Sequence, residues 1–585
     1  APTSTDVKSF IVDLDGVVQK PTTDFTVSGS TLTLTTGASV DQVLTVRNIG
    51  VTRDILGDSP TVTGDLTVTG AISGTMSSGT VTSTGSTTAR SLATRFAEVV
   101  NVKDYGAVGD GATDDTAAIQ AAIDSGGDVF VPEGTYMCNG LSLTTSFDMS
   151  PAATLKFNGS PGEKVITLAA ANLNIHRLNT DGASDDCTLV YVGSNGCTID
   201  YLNMSNVTCT TAVTSVTYGI NIQADDTTIS SIRCNDFVHG FGPSPTPNRS
   251  APQSVHINGT RTHITDITCM DCVCGLLTSS GVTTCDSVRC MDMYDNGIYH
   301  LGGDLYVDSL YYHGADEACV AKGRNLHVGM ITTLGDCNQA LGLEDVENVS
   351  VGEILLLPDP DSGETASNCL SLRSANTASG NVYIGRISGE VRGELILSCS
   401  SDRGTVDYLT INAIQLRHTI IDGDEATTWW LNLSGCKGFN IADIDIVMLD
   451  DEDALEGTTT EFYMKAGTPT KDSWIGSFRV SCKKADGVTD APASQYSVRG
   501  EGFAQALVRV DNAPWRTDSS AGSPRLQNIQ YGELGTANDV TPSIGTWRVG
   551  QKLYDKAPSA GGSIGAVCTV AGTPGTWKTF GDIAS

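Results

Sequence analysis

Through the middle of the chain, an apolar residue, two others and then Ile, Leu, Val or Phe recur every 20-odd residues. The pairs run Ile175/Leu178, Ile199/Leu202, Ile229/Ile232, Ile264/Ile267, Cys285/Val288 and Val307/Leu310. They continue as Val328/Ile331, Val351/Ile354, Ile384/Ile387, Ile411/Ile414, Ile441/Ile444 and Ile475/Phe478. From Ile267 to Ile354 the successive spacings are 21, 22, 21 and 23. Elsewhere they stretch to about 24–35, as rungs carrying loop insertions would. A period of this length built from short strands predicts a β-solenoid, with strands parallel and rungs stacked about 4.8 Å apart. A β-propeller would need about 40–50 residues per blade.

Before the repeat stands NVKDYGAVGDGATDDTAAIQAAIDSGGDVFVPEGTY, residues 101–136. Thr113-Asp114-Asp115 supplies an N-cap and first-turn carboxylates, Ala118, Ile119, Ala122 and Ile123 an apolar stripe, and Gly126-Gly127 a stop. One short helix before a run of strands has a physical task. It covers a first rung that would otherwise expose core and unpaired backbone. Asp110, Asp114 and Asp115 read as cap and turn residues.

VKDYGAVGDGATDDTAAIQAAI…FVPEGTY resembles the opening of the pectate-lyase-like right-handed parallel β-helix, and in particular the bacteriophage tailspike branch of polysaccharide depolymerases. TTARSLATRFAEVVNV resembles the helical neck of such spikes, and the strand-and-turn segment around Ser28-Gly29 their virion-proximal domains. GTWRVGQKLYDKAPSAGGSIGAVCTVAGTPGTWKTFG resembles a C-terminal module of phage spikes. The resemblance implies an all-β, right-handed parallel β-helix with a short capping helix, assembled as a homotrimer on a phage tail. The expected organisation is a small β-rich N-terminal domain (1–57), a Thr/Ser/Gly-rich neck (58–97), the β-helix (98–497) and a β-sandwich-like C-terminal domain (498–585). Attachment to other tail or baseplate proteins is expected through the N-terminus. The chain opens on APTSTDV without an initiator Met, as expected if a virion anchor precedes it.

The formal net charge is −32, which argues against nucleic acid as a partner, since phosphate binding needs basic patches. No run of about 18 apolar residues predicts a membrane span. The 17 cysteines include CMDCVC at 269–274, which invites a zinc reading. Cys234, Cys269 and Cys290, however, each follow the second apolar residue of a pair by two, which predicts a buried ladder of free thiols. No metal and no cofactor are expected.

A solenoid stacks equal offsets into columns. Seven residues after each second apolar position stand His239, Cys274, Asp295, Glu317, Asn338, Asp361 and Glu394, with Asp316 beside Glu317. Carboxylates on neighbouring rungs suit glycoside hydrolysis, in which one acid protonates the leaving oxygen and an ionised partner assists. The candidate catalytic residues are therefore Glu317, Asp295 and Asp316. Candidate substrate contacts are His239, His300, His313, Tyr312, Arg324 and Glu344, since aromatic faces, imidazoles and hydroxyls bind sugars. The proline-rich insertion 241–253 is expected to wall the groove.

The leading expectation is an endo-glycosidase cutting bacterial capsular or O-antigen polysaccharide. A polysaccharide lyase on the same fold would need a base and a cation beside a uronate, for which His239, His313, Tyr312 and Arg324 are available. A spike that grips polysaccharide without cutting it would show aromatics but no close carboxylate pair.

Overall fold

The computed structural model describes residues 10–48 apart from 29, 30 and 40, residues 80–239 apart from 83 and 210–216, and residues 252–372 apart from 315, 336 and 360–368. Beyond these it describes, with gaps, strands within 377–484, 496–530 and 549–584. The chain divides into two compact units, residues 1–79 and 80–585.

In the first unit Phe10–Leu14 pairs antiparallel with Val17–Gln19 and with Leu44–Asn48. Asp15 and Gly16 take positive φ in the connecting turn, as a tight hairpin requires. A second hairpin joins Phe25–Ser28 to Thr31–Leu34, and Phe10, Val12 and Phe25 form the small core.

The second unit is a parallel β-helix. Long strands from Asn174–Asp185 to Ser473–Lys484 each pair in parallel with the strand one rung before. A second parallel sheet of shorter strands, such as Cys274–Thr278, Glu317–Ala321 and Gln339–Leu343, closes each rung. The apolar pairs found by spacing are the register itself. Ile175 stands against Ile199, then Ile229, Ile264, Cys285, Val307 and Val328 on successive rungs, each at most 2% exposed. The thiol ladder forms as expected: Cys234, Cys269 and Cys290 stack in register and are buried. Burial pushes thiols up, as at Cys285 and Cys319, to about 12.

The capping helix spans Thr116–Asp124 and buries Ile119, Ala122 and Ile123. Its capping differs from the expected pattern. Asp114 accepts from the Thr116 N–H at 3.0 Å. Asp115, buried, instead ties the helix to the Gly-rich loop by accepting from Val108 and Gly109 N–H at 2.7 and 3.1 Å. Gly126 ends the helix at φ +82°, a conformation open to glycine.

The parallel ladder runs past residue 497, where the apolar spacing fails. Tyr496–Glu501 pairs with Thr460–Ala466, and Ala506–Asp511 with Ser473–Lys484. An antiparallel hairpin, Ser563–Val570 with Thr576–Asp582, follows. Among the described residues, no helix is long and apolar enough to cross a membrane.

Candidate active site

Three successive rungs each pass from a long strand through a short turn into a short strand. The site lies at this corner on three rungs: Val282–Met293 leading to Ile298–His300, Asp304–Gly314 to Glu317–Ala321, and Asn325–Leu334 to Gln339–Leu343.

Asp295, Asp316 and Glu317 converge there. Their nearest carboxylate oxygens all lie within 4.8 Å of one another. The alignment that brings them together differs from the expected column by one residue. The strand register sets Ile298 against Cys319 and Glu317 against Gln339. Asn296 is therefore the neighbour of Glu317, and Asp295 that of Asp316. The reason is an extra residue at the end of the upper long strand, where the pairing shifts between Cys290/Tyr312 and Met293/Gly314. Asp292 sits in that irregularity with φ +54°.

The site is held by buried polar contacts. Asn296 and Glu317 are 5% and 3% exposed, and the Asn296 side-chain amide donates to Glu317 Oε2 at 2.7 Å. Asp295 and Asp316 are half-buried. The Tyr312 hydroxyl donates to the Asp295 carbonyl at 2.6 Å and accepts from the Asp316 N–H at 3.4 Å, joining the two turns. Asn338 N–H donates to the Asp316 carbonyl at 2.9 Å. Gly297 makes room for the Tyr312 ring, for a Cβ there would meet its Cδ2 at 2.7 Å.

Two expected substrate contacts are corrected. Tyr312 has no exposed surface and continues the thiol ladder directly below Cys290. Burial raises its phenol well above the ordinary range, and its hydroxyl is engaged by the two turns rather than turned to solvent. His300 is likewise fully buried, with Nδ1 2.7 Å from Thr278 Oγ1, and burial lowers it to about 4.

Arg324 and Glu344 stand at the other end of the short strands. Arg324 donates to Asp304 at 2.8 Å, and Lys322 pairs with Glu344 at 3.3 Å. From Glu317 to Lys322 is roughly 17 Å of extended chain, so the structure does not bring these residues to the carboxylates. The His239 side chain, most of the insertion 241–253, Asp361 and Glu394 lie outside the described residues.

His313 does reach this flank. Its Nδ1 lies 3.0 Å from Asp292 and its Nε2 3.9 Å from Asp359. In register with His313 and one and two rungs on stand Leu334 and Leu357. Leu357 lines a cleft of about 610 Å³ with Pro358, Glu390, Arg417 and Asp445. Asp295, Asp316 and Glu317 do not line this cleft.

The sequence reading passed over Asn296, Asp236, Asp271 and Asp292. A signal for the aspartates was present: each follows a ladder cysteine by two residues. Asn296 carried no such signal, because the shifted register hid its place.

Oxygens within 4.8 Å leave room for one water or glycosidic oxygen to hydrogen-bond two carboxylates at once. Oxygen donors so spaced also suit a hard divalent cation.

Residues 99–236 match the family model described as rhamnogalacturonase A/epimerase, pectate lyase-like. Mannuronan C5-epimerase AlgE3 of Azotobacter vinelandii is 62% identical over 45 residues, 7% of this chain and 2% of that protein. The pre-neck appendage protein of Bacillus phage phi29 is 46% identical over 68 residues, 11% of this chain and 8% of that one. The chain thus matches only a small fraction of the length of these curated relatives. Among solved structures, the tailspike protein of E. coli bacteriophage HK620 in complex with pentasaccharide aligns over 83% of this chain and 86% of that one, at 13% identity and TM-score 0.31.

Proposed function

We propose that this chain is a phage tailspike depolymerase, an endo-glycosidase that hydrolyses bacterial capsular or O-antigen polysaccharide. The observation that carries the reading is the convergence of Asp295, Asp316 and Glu317 at one corner of the β-helix. One carboxyl would protonate the glycosidic oxygen, and a second would act on water or on the anomeric carbon. Glu317 is held in position by the side-chain amide of Asn296. Asp316 and Asp295 are nearer solvent, within reach of the same glycosidic oxygen or water. His313 would contact sugar hydroxyls from the adjoining turn.

The partial matches to a phage appendage protein and to polysaccharide-modifying enzymes support this class of substrate and a place on the virion. A homotrimer joined to other tail proteins through its N-terminal unit completes the proposal.

The test is product analysis on polysaccharide from a panel of host strains, with and without a chelator. Hydrolysis gives fragments one water heavier per cut and no new ultraviolet absorbance. Unsaturated, absorbing fragments would instead establish a lyase and defeat the assignment. Retention of a polysaccharide without cutting would leave a binding spike.

A further inference from the structure

Resting on the polysaccharide reading above, we infer that the cleft beyond His313 holds a second stretch of the same polysaccharide, several glycosyl units from the bond that is cut. The polymer then lies along the stacking axis of the rungs.

The cleft is built into the ladder. Glu390, Arg417 and Val447 stand in register on successive rungs. His313, Leu334 and Leu357 stand in register on the rungs before, and the two runs meet where Leu356 pairs with Gly389. Gln415 and Asp445 lie two positions ahead of Arg417 and Val447, on the same face. Arg386 donates to the Gln415 carboxamide oxygen at 2.6 Å, and Arg479 to Asp445 at 3.3 Å, which holds both in place. The floor is Gly389. Its column is the buried one of Tyr312, Thr333, Leu356, Leu416 and Ile446, each of which fills its rung with a side chain. Gly389 fills nothing: its φ is +114°, and a Cβ there would run into the Leu356 carbonyl oxygen. At about 610 Å³ the cleft falls within the roughly 300–1,000 Å³ usual for ligand sites.

The same surface leads back to the carboxylates. Pro358 lines the cleft, and its neighbour Asp359 lies 3.9 Å from His313 Nε2. Gly335 sits between them. Its N–H donates to the Leu357 carbonyl at 3.0 Å, and a Cβ on it would lie 3.1 Å from Asp359 Cβ and 3.5 Å from His313 Cδ2. His313 in turn touches Asp292, in the strand that leads to Asp295. From the rung of Asp316 and Glu317 the cleft begins two rungs on and ends five rungs on, roughly 10 and 24 Å along the stack. A glycosyl unit is about as tall as a rung, so a chain running along the axis passes from the carboxylates into the cleft.

The lining suits a saccharide. It is apolar at Leu357, Pro358 and Val447 and polar at Glu390, Gln415 and Arg417, the division that a pyranose needs between its ring face and its hydroxyls. Two carboxylates, a carboxamide and one guanidinium offer acceptors and donors together. They lack the excess of positive charge that a phosphate or sulfate ligand requires.

The test uses the full chain and a purified host polysaccharide, both intact and degraded to short, size-fractionated oligosaccharides. For each variant, kcat/KM on the polymer is divided by kcat/KM on the shortest fragment that is cut. Arg417→Ala and, separately, Leu357→Gln should each lower this ratio about tenfold, through KM on the polymer. Arg417 is exposed and Leu357 half-buried, so both changes spare the core. A merely structural loss would affect polymer and fragment alike. A ratio unchanged in both variants, with native circular dichroism, overturns the inference and leaves the hydrolase reading standing. So does an unchanged ratio with a smaller assembled mass in sedimentation, which would give the cleft to a second copy of the chain. Where polymer is retained but not cut, affinity electrophoresis reads the same variants. Weakened retention then keeps the subsite and defeats hydrolysis. Retention unaffected by either variant, or neither retention nor cutting of any polymer, removes both.

Discussion

Asn296 and Glu317 face each other across adjacent rungs, both buried, with the amide 2.7 Å from the carboxylate. The contact fixes one oxygen of Glu317. Asn296→Ala should lower kcat by about 10–100-fold with little change in KM, since a small misplacement of a reacting group is costly. It should also cost about 1–3 kcal/mol of stability by leaving a buried carboxylate oxygen without its donor. Steady-state kinetics and denaturant unfolding check the two effects separately.

Tyr312 joins the turns that carry Asp295 and Asp316 through one hydroxyl. Tyr312→Phe keeps the ring and removes that link. About 1 kcal/mol of stability should be lost, with kcat reduced about tenfold. If Tyr312 were a catalytic base, the loss would be far larger and the pH–rate profile would lose a limb.

Gly297→Ala drives a methyl group into the Tyr312 ring, within 2.7 Å of Cδ2. Overpacking of this kind should cost about 1–3 kcal/mol. Thermal unfolding of the variant measures it.

His256 and His300 are buried, and burial lowers each to about 4. The unfolded chain takes up these protons near the ordinary histidine value of about 6.5. Between those values the unfolded state binds more protons. The contribution is therefore intact above pH of about 6.5 and is lost as pH falls toward 4, on the order of 3 kcal/mol per group. Unfolding followed across this window should show the loss, and His300→Gln should flatten its pH dependence.

Among the described residues sixteen cysteines are free thiols, all of them buried. A thiol reagent should therefore modify at most about one group per native chain quickly and the remainder only on unfolding. Rapid modification of several thiols in the native state would contradict the buried ladder.

The rungs were legible because every turn of a solenoid buries the same apolar positions, so Ile175, Ile199 and their successors mark its register. The carboxylates were legible because stacking puts equal offsets side by side. Their alignment was not, because the extra residue at Asp292 lies outside the apolar pairs that set the count. Tyr312 was misplaced despite a usable signal: it follows Leu310 by two, the same offset that marks the buried cysteines. His300 sits in a short strand whose register partners Ala321 and Leu343 are core residues, and its polar ring concealed that.

The central claim is hydrolysis by three converging carboxylates. Its most direct test is depolymerisation in heavy-oxygen water, comparing the native chain with Glu317→Gln, Asp316→Asn and Asp295→Asn. The account predicts one heavy oxygen incorporated per cut. It also predicts loss of at least about a hundredfold in rate for Glu317→Gln and for one or both aspartate variants, with folding retained. Cutting without heavy-oxygen incorporation, or full activity in all three variants, would contradict it.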